Sequence, residues 1–421
     1  MLLFISKYRG DYMAAKKKKS DKTVKKNIAK QIDEKEFFSV KEVLVITILA
    51  IIFGWFMGSI VANKTEDIND SSDIKNFRSV YNNIVSNYYK KVDKTKLIEA
   101  SIDGMLEYLD DPYTTYMTKQ QTASFNQIMS GEYKGIGVSI IKYKDEIIVF
   151  GVFKNSPAAK AGIKAGDVIL EIDKKSMNDK EIDDVIEMVK DKKEVNIKIK
   201  RKKEEKSLMV KPTKVELPSV ASKVLEKNDK KVGYIEISIF ASNTSKQFKK
   251  ELLELEKKNI DSYIIDLRGN SGGYLAEAVN ILSEFMDKSK VIYQIKTKNR
   301  TIKYYSQGKK DKKYKVSVLI DENSASASEI VAAAFKESYN ADIVGKKTYG
   351  KGTVQQSVKL EDGASMKYTI ESWLTPSGKF INKNGIEPNV EVDLNEDYFD
   401  EPSFENDNQL QNALDRITKS N

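Results

Sequence analysis

Residues Val43 to Ala62, VLVITILAIIFGWFMGSIVA, run for 20 positions without a charge. A stretch like this must leave water, and it divides the chain in two. At the α-helical rise it covers roughly 30 Å, the thickness of a bilayer core. A buried soluble helix and a cleaved signal peptide are the alternatives. The length favours a span over a signal h-region, and the 42 residues in front of it are long for a signal n-region. Those residues hold 12 Lys/Arg against 6 Asp/Glu. The positive-inside rule then predicts a cytoplasmic N-terminus, with everything after Asn63 outside the plasma membrane. Met13 offers a second start to the chain.

The formal net charge of +9 suggests nucleic acid until it is located. The first 42 residues carry +6 of it, including Lys16-Lys17-Lys18-Lys19, so the rest is nearly balanced. The basicity belongs to a solvated arm, and no nucleic-acid partner is expected. The chain has no histidine and no cysteine. That excludes Ser-His-Asp and Cys-His catalysis, zinc sites built on His or Cys, and any disulfide. Hydrolytic chemistry would need Ser or Thr with Lys, a carboxylate pair, or an oxygen-ligated metal; no cofactor or metal is expected.

The pattern beyond the span predicts a mixed α/β protein. Lys64 to Ile74 is a tether. Lys75 to Ser130 reads as helices, with Phe77, Val80, Tyr81, Ile84 and Tyr88 on one face. That face suits a lid or a dimer surface, but the expectation is a helical subdomain packed on its neighbour. Gly131 to Pro212 forms a separate unit, with strands at Ser139–Tyr143 and Ile147–Val152, an amphipathic helix at Asp179–Lys190 and closing strands at Val195–Arg201 and Ser207–Val210. From Val215 strands alternate with helices, as in a layered α/β core. One strand, Ser262 to Leu267, ends on Arg268-Gly269-Asn270-Ser271-Gly272-Gly273. Another, Val316 to Ile320, ends on a turn with Ser324, Ser326 and Ser328 before a helix from Glu329 to Glu337. A third, Asp342 to Val344, leads to Tyr349-Gly350-Lys351-Gly352. An acidic, loose segment at 395–407 precedes a short helix, Asn408 to Ile417.

Two of these turns suit chemistry. Ser326 with Glu329 is an S-x-x-E capping box, which needs no catalysis to explain it. A serine at a helix N-terminus is also well placed for acyl chemistry, because the free N–H groups and the dipole favour developing negative charge. Lys351 sits in a lysine-rich chain, yet the flanking glycines allow a close backbone approach. If buried, its amine would be neutral and able to take the serine proton. Gln355 could fix that amine. Spacing alone leaves capping and solvated lysine open beside a Ser-Lys pair.

The residues 131–212 resemble a PDZ domain. That resemblance implies that the loop Gly135, Ile136, Gly137 and Val138 offers N–H groups to a peptide C-terminal carboxylate. The tail would add as a strand, with Val138, Ile140, Val185 and Val189 lining its side-chain pocket. Ordinary core packing is the alternative for these apolar residues.

From Lys75 to Ile417 the chain resembles the carboxy-terminal processing proteases, the tail-specific serine peptidases of family S41. The motifs are YLDDPYTTY from Tyr108, GEYKGIGV from Gly131, DLRGNSGGYL from Asp266, ENSASASEIVA from Glu322, GKKTYGKGTVQ from Gly345 and WLTPSG from Trp373. The resemblance implies Ser326 as nucleophile, Lys351 as general base, and Gln355 as the residue that orients it. It implies an oxyanion hole from the backbone of Ala327 and one glycine of Gly272-Gly273. The expected organisation is a basic tail (1–42), a transmembrane helix (43–62), a tether (63–74), a helical region (75–130), a PDZ domain (131–212), a protease core (213–395) and a C-terminal segment (396–421). The expected function is a membrane-anchored endopeptidase that cleaves proteins near their C-termini outside the cytoplasm, without a cofactor. Trimming of a regulatory membrane protein in signalling is a narrower version. The family's assembly through terminal helices makes a homodimer part of the expectation. The rival is a catalytically silent PDZ scaffold at the envelope.

Overall fold

The computed structural model describes residues 71–297 and 299–419. The basic tail, the expected membrane span and all but the end of the tether lie outside them. Among the described residues no helix is long and apolar enough to cross a membrane. The described residues divide into two units, one ending at Ile98 and one beginning at Glu99.

The described part of the first unit begins with helix Ser72–Asn87, capped by Ser71, whose hydroxyl accepts from the Ile74 N–H at 3.4 Å. None of its residues is buried, and Phe77, Val80 and Ile84 are exposed. The next helix, Lys94–Tyr108, also buries nothing.

The second unit is built on a six-stranded sheet in the order Val220–Lys227, Lys230–Ile237, Ser262–Asp266, Lys315–Ile320, Asp342–Gly345, Val390–Glu391. The first pair is an antiparallel hairpin and every later pairing is parallel. Successive side chains of a strand face opposite sides, so both faces can be covered. Ile235, Ile265, Val318 and Ile320 pack on one side with helices Thr244–Glu256, Leu275–Leu282 and Ala327–Ser338. Ile264, Leu319 and Val344 pack on the other with Leu410 and Leu414 of helix Asn408–Thr418. Burial of each such side chain contributes about 1.5–3 kcal/mol before entropy is charged against it.

The segment expected to be loose, 395–407, is tied down. Asp407 is buried, caps the last helix through the Leu410 N–H, and pairs with Arg268 at 2.7 Å. Phe404 meets Tyr234 edge to face. Asp407 answers a largely covered arginine, whereas Glu396, Asp400, Glu401 and Glu405 stay exposed.

A second, antiparallel sheet contains Thr115–Met117, Ser365–Leu374, Val291–Lys296 and Thr301–Tyr305, with Thr353–Lys359 also paired to Ser365–Leu374. The PDZ-like unit has its own sheet, Val138–Tyr143, Glu146–Val152, Val168–Ile172, Val195–Arg201 and Glu204–Val210, and its own core. A two-stranded ribbon, Glu132–Gly135 with Thr213–Glu216, carries the chain in and out of it. Three parallel core strands end side by side at Asp266, Ile320 and Gly345, and their following turns share the carboxyl edge of the sheet. In α/β proteins this edge is where sites form.

Candidate active site

The turn after Lys315–Ile320 is fixed by Asp321. Its carboxylate accepts from the N–H groups of Asn323 and Ser324 and from the Gly269 N–H of the neighbouring turn. Ser324 is buried and donates its hydroxyl to Leu267 O at 2.8 Å. Ser328 is buried and donates to Asn270 O at 2.8 Å. Two of the three serines are thus structural, and each binds this turn to the Gly-rich one. Ser326 is the partly exposed third. It holds φ 56° and ψ −113°, a strained backbone for a residue with a side chain. It sits between a strand and a helix, as nucleophiles on sharp strand-to-helix turns do.

Glu329 holds that strain in place. Its carboxylate is buried and takes four hydrogen bonds. Oε2 accepts from the Ser326 N–H at 2.8 Å and the Lys351 N–H at 2.9 Å. Oε1 accepts from the Gly350 N–H at 2.8 Å and Thr348 Oγ1 at 2.7 Å. A single oxygen therefore joins the backbones of Ser326 and Lys351, and their nitrogens lie no further apart than those two bonds together. Burial pushes the Glu329 pKa up, while its four donors oppose the shift. The donors favour the ionised form, because a protonated carboxyl would set its own O–H against one of them. The spacing to Ser326 was legible as a cap. The three donors beyond position 347 were not.

Lys351 is partly buried, and its amine lies 4.9 Å from the centroid of the Tyr113 ring. Burial, helped by the Lys367 charge, lowers its pKa from 10.5 to about 8; Glu329 and Asp111 oppose the shift. Roughly a tenth of such an amine is neutral at pH 7. Trp373 Nε1 donates to Lys351 O at 2.8 Å and fixes the backbone. Gly350 has φ 88°, and a Cβ added there would come 3.0 Å from Gly385 N. Gln355 is placed differently from the expectation. Its amide donates to Thr353 Oγ1 at 2.8 Å and Thr369 Oγ1 at 3.3 Å, and among the described residues it makes no bond to the Lys351 amine.

The Gly-rich turn reaches the serine directly. A Cβ added to Gly272 would sit 2.8 Å from Ser326 Cβ and 3.1 Å from Ala327 N. The two glycines differ, however. The Gly272 N–H donates to Asn270 Oδ1 at 2.8 Å, and Gly272 O accepts from the Phe240 N–H. Among the described residues the N–H groups of Gly273 and Ala327 have no acceptor. Those two are the donors left for an oxyanion. Behind the turn, Arg268 is clamped between Asp266 and Asp407, at 2.6 and 2.7 Å.

In the PDZ-like unit Ile136, Val185 and Val189 are buried in its core, whereas Val138 and Ile140 are only partly covered. The helix begins at Ile182, later than Asp179, with Glu181 as its N-cap. Gly135 and Gly137 shape the loop, Gly137 at φ 80°. One residue was missed in the sequence. The Tyr133 ring folds over Gly135, a Cβ at which would come 2.3 Å from its Cε2, and meets Phe153 edge to face. Burial raises the pKa of its phenol, and the backbone N–H groups of Gly137 and Val138 oppose the rise.

A strained serine at a helix N-terminus, free N–H donors beside it and a half-buried amine define a serine hydrolase site on an α/β sheet. A model of peptidase family S41 matches residues 231–392, one of a PDZ domain matches 135–211, and one described as the activating protease CtpB N-terminal domain matches 57–121. The chain is 39% identical over 346 residues to the carboxy-terminal processing protease CtpB of Bacillus subtilis (strain 168), covering 81% of this chain and 72% of that one. It is also 39% identical over 356 residues to a probable CtpA-like serine protease of Staphylococcus aureus (strain COL), covering 83% and 70%. Among solved structures it is similar to a photosystem II D1 C-terminal processing protease, 27% identical with TM-score 0.46, over 77% of this chain and 88% of that one. The chain belongs to peptidase family S41, among its carboxy-terminal processing serine proteases.

Proposed function

We propose that the protein is a membrane-anchored endopeptidase that cleaves proteins near their C-termini outside the cytoplasm by a Ser-Lys mechanism, its PDZ domain taking the substrate tail. The observation that carries this is the single Glu329 oxygen bonded to the backbones of both Ser326 and Lys351. The neutral Lys351 amine takes the hydroxyl proton as Ser326 Oγ attacks the scissile carbonyl. The C–O bond forms, and the carbonyl oxygen becomes an oxyanion facing the N–H groups of Ala327 and Gly273. Preorganised donors of this kind supply a large share of catalysis. The Lys351 ammonium then gives its proton to the leaving amine as the C–N bond breaks. Water, deprotonated by Lys351, hydrolyses the acyl-enzyme and restores Ser326. Gln355 reaches this centre through Thr369, whose N–H donates to Thr114 Oγ1 in the Asp111 turn.

The uncharged run at 43–62 and the basic tail before it support the anchor and the orientation. The exposed apolar face of helix Ser72–Asn87 is compatible with a homodimer. A peptidase assay on a peptide with an apolar C-terminal tail tests the reading, with Ser326→Ala and Lys351→Ala beside the unmutated chain. Both variants should lose activity by at least about a thousandfold. If the unmutated protein cleaves no tail peptide, the silent scaffold is the better account.

A further inference from the structure

The Lys351 amine is not enclosed by the peptidase segment alone. Its closest aromatic cover is Tyr113, which lies in the Asp110-Asp111-Pro112-Tyr113 turn, far earlier in the chain. We propose that Tyr113 is a positioning residue for Lys351: its ring closes over the amine and is the wall that keeps water from the base. The proposal rests on the Ser-Lys reading above and extends it to a segment outside the protease core.

The placement of Tyr113 is built, not incidental. Asp111 accepts from the Tyr113 N–H at 3.1 Å and from Thr114 Oγ1 at 2.6 Å, which fixes the turn. Thr114 Oγ1 in turn accepts from the Thr369 N–H at 3.1 Å, on the strand that pairs with the one leading out of Lys351. The ring also meets Tyr349 edge to face, centroids 6.5 Å apart, two residues before the lysine. Tyr113 is therefore held on one side by the Asp111 turn and on the other by the Lys351 loop.

The ring acts on the amine in two opposed ways. Its face attracts an ammonium, which favours the charged form. Its body displaces water, which disfavours that form. The charged groups around Lys351 are Lys367, which also disfavours the ammonium, and Glu329 and Asp111, which favour it. Burial is the largest influence, and the amine ends near 8. The Tyr113 phenol is itself pushed up to about 12, by burial first and then by Tyr349, so it stays neutral beside the base. Removing the ring removes both of its effects, and the larger one sets the direction.

The test reads the amine directly. Trace labelling of the full chain with acetic anhydride across pH, followed by mass spectrometry of the peptide containing Lys351, gives the midpoint of its titration. Tyr113→Ala should raise that midpoint by about one unit or more, and Tyr113→Phe should leave it in place. At about pH 7 the peptidase kcat/KM of Tyr113→Ala should fall about tenfold with KM little changed, and recover as pH rises. A melting curve checks folding. If the alanine variant fails to fold, Tyr113→Gln, which sets a hydrated amide over the amine, must show the same rise. A midpoint unmoved in the folded variant overturns the proposal whatever the activity does. If instead Lys351→Ala keeps full activity, the Ser-Lys reading falls, while the labelling result still decides the role of Tyr113.

Discussion

Glu329→Gln replaces one carboxylate oxygen by an amide NH2 with almost no change of shape. The carboxylate accepts four bonds, two at each oxygen. With the amide nitrogen at the Oε2 position, it opposes the N–H groups of Ser326 and Lys351. Turned over, it opposes the Gly350 N–H and the Thr348 hydroxyl, and that hydroxyl already accepts from the Ile386 N–H at 2.7 Å. In either pose at least one buried N–H loses its acceptor, at about 1–3 kcal/mol, and the remaining bonds lose their charge. A total of roughly 2–5 kcal/mol follows, comparable to the 1–3 kcal/mol of strain held at Ser326. If that cost falls on the competent arrangement of the two turns, kcat drops by about 30-fold to several thousandfold. KM should hold, since the carboxylate is buried and bonds only backbone and Thr348. Steady-state kinetics on a tail peptide, with a melting curve beside them, separate these effects. A variant with kcat within about threefold of the unmutated enzyme would refute the idea that one oxygen aligns the pair.

The remaining expectations concern separate parts of the site. Gly272→Ala places a Cβ 2.8 Å from both Ala325 O and Ser326 Cβ at φ 105°, so activity should fall by at least about a hundredfold in a chain that still folds; near-normal kcat would contradict the close approach. Tyr133→Ala should tighten binding of a C-terminal tail peptide to the PDZ unit several-fold in fluorescence anisotropy, since the ring covers Gly135 of the loop that would take the tail; weaker binding would make the ring part of the pocket. The kcat/KM of the unmutated enzyme should rise about tenfold per pH unit up to about 8 and then flatten, because the base works only when neutral; a flat profile over that range would exclude Lys351 as the base. Lys351→Met should stabilise the fold at neutral pH, by about 1–3 kcal/mol after allowance for partial exposure, read from urea midpoints. The folded amine titrates below the unfolded one, so the penalty is complete below about 8 and fades as pH approaches 10.5; a gain that grows over that window would reverse the sign.

What was legible in the sequence was local. Strand ends, Gly-rich turns and the S-x-x-E cap use residues a few positions apart, and the core strands lie close to where their apolar runs place them. Ser326 and Lys351 were legible only by motif; neither periodicity nor spacing separated them from a cap and a surface lysine. Three things were hidden because their partners are distant. Glu329 reads as a cap until Thr348, Gly350 and Lys351 arrive, 19 to 22 residues later in the chain. The segment 395–407 reads as solvated until Arg268 takes Asp407 across 139 positions. Gln355, expected on the lysine, is drawn off by Thr369 on the paired strand, a cross-strand contact that a linear motif does not show. The short strands Thr115–Met117 and Glu132–Gly135 had no apolar alternation of their own, and the partner strand defines them.

On the proposed Ser-Lys reading, the base is an amine that water would keep charged. The surroundings of that amine come from separate regions: the Tyr113 ring from the early turn, Lys367 from the paired strand, and Glu329, which fixes the backbone on which the amine stands. Burial and the Lys367 charge lower its pKa, whereas a lysine in an incomplete pocket is solvated and protonated. Catalytic competence is then tied to complete closure of the pocket, and the same burial that makes the amine a base disfavours the folded state at neutral pH. On that reading stability and activity are opposed at position 351, and a displaced wall would slow the enzyme at neutral pH without moving Ser326.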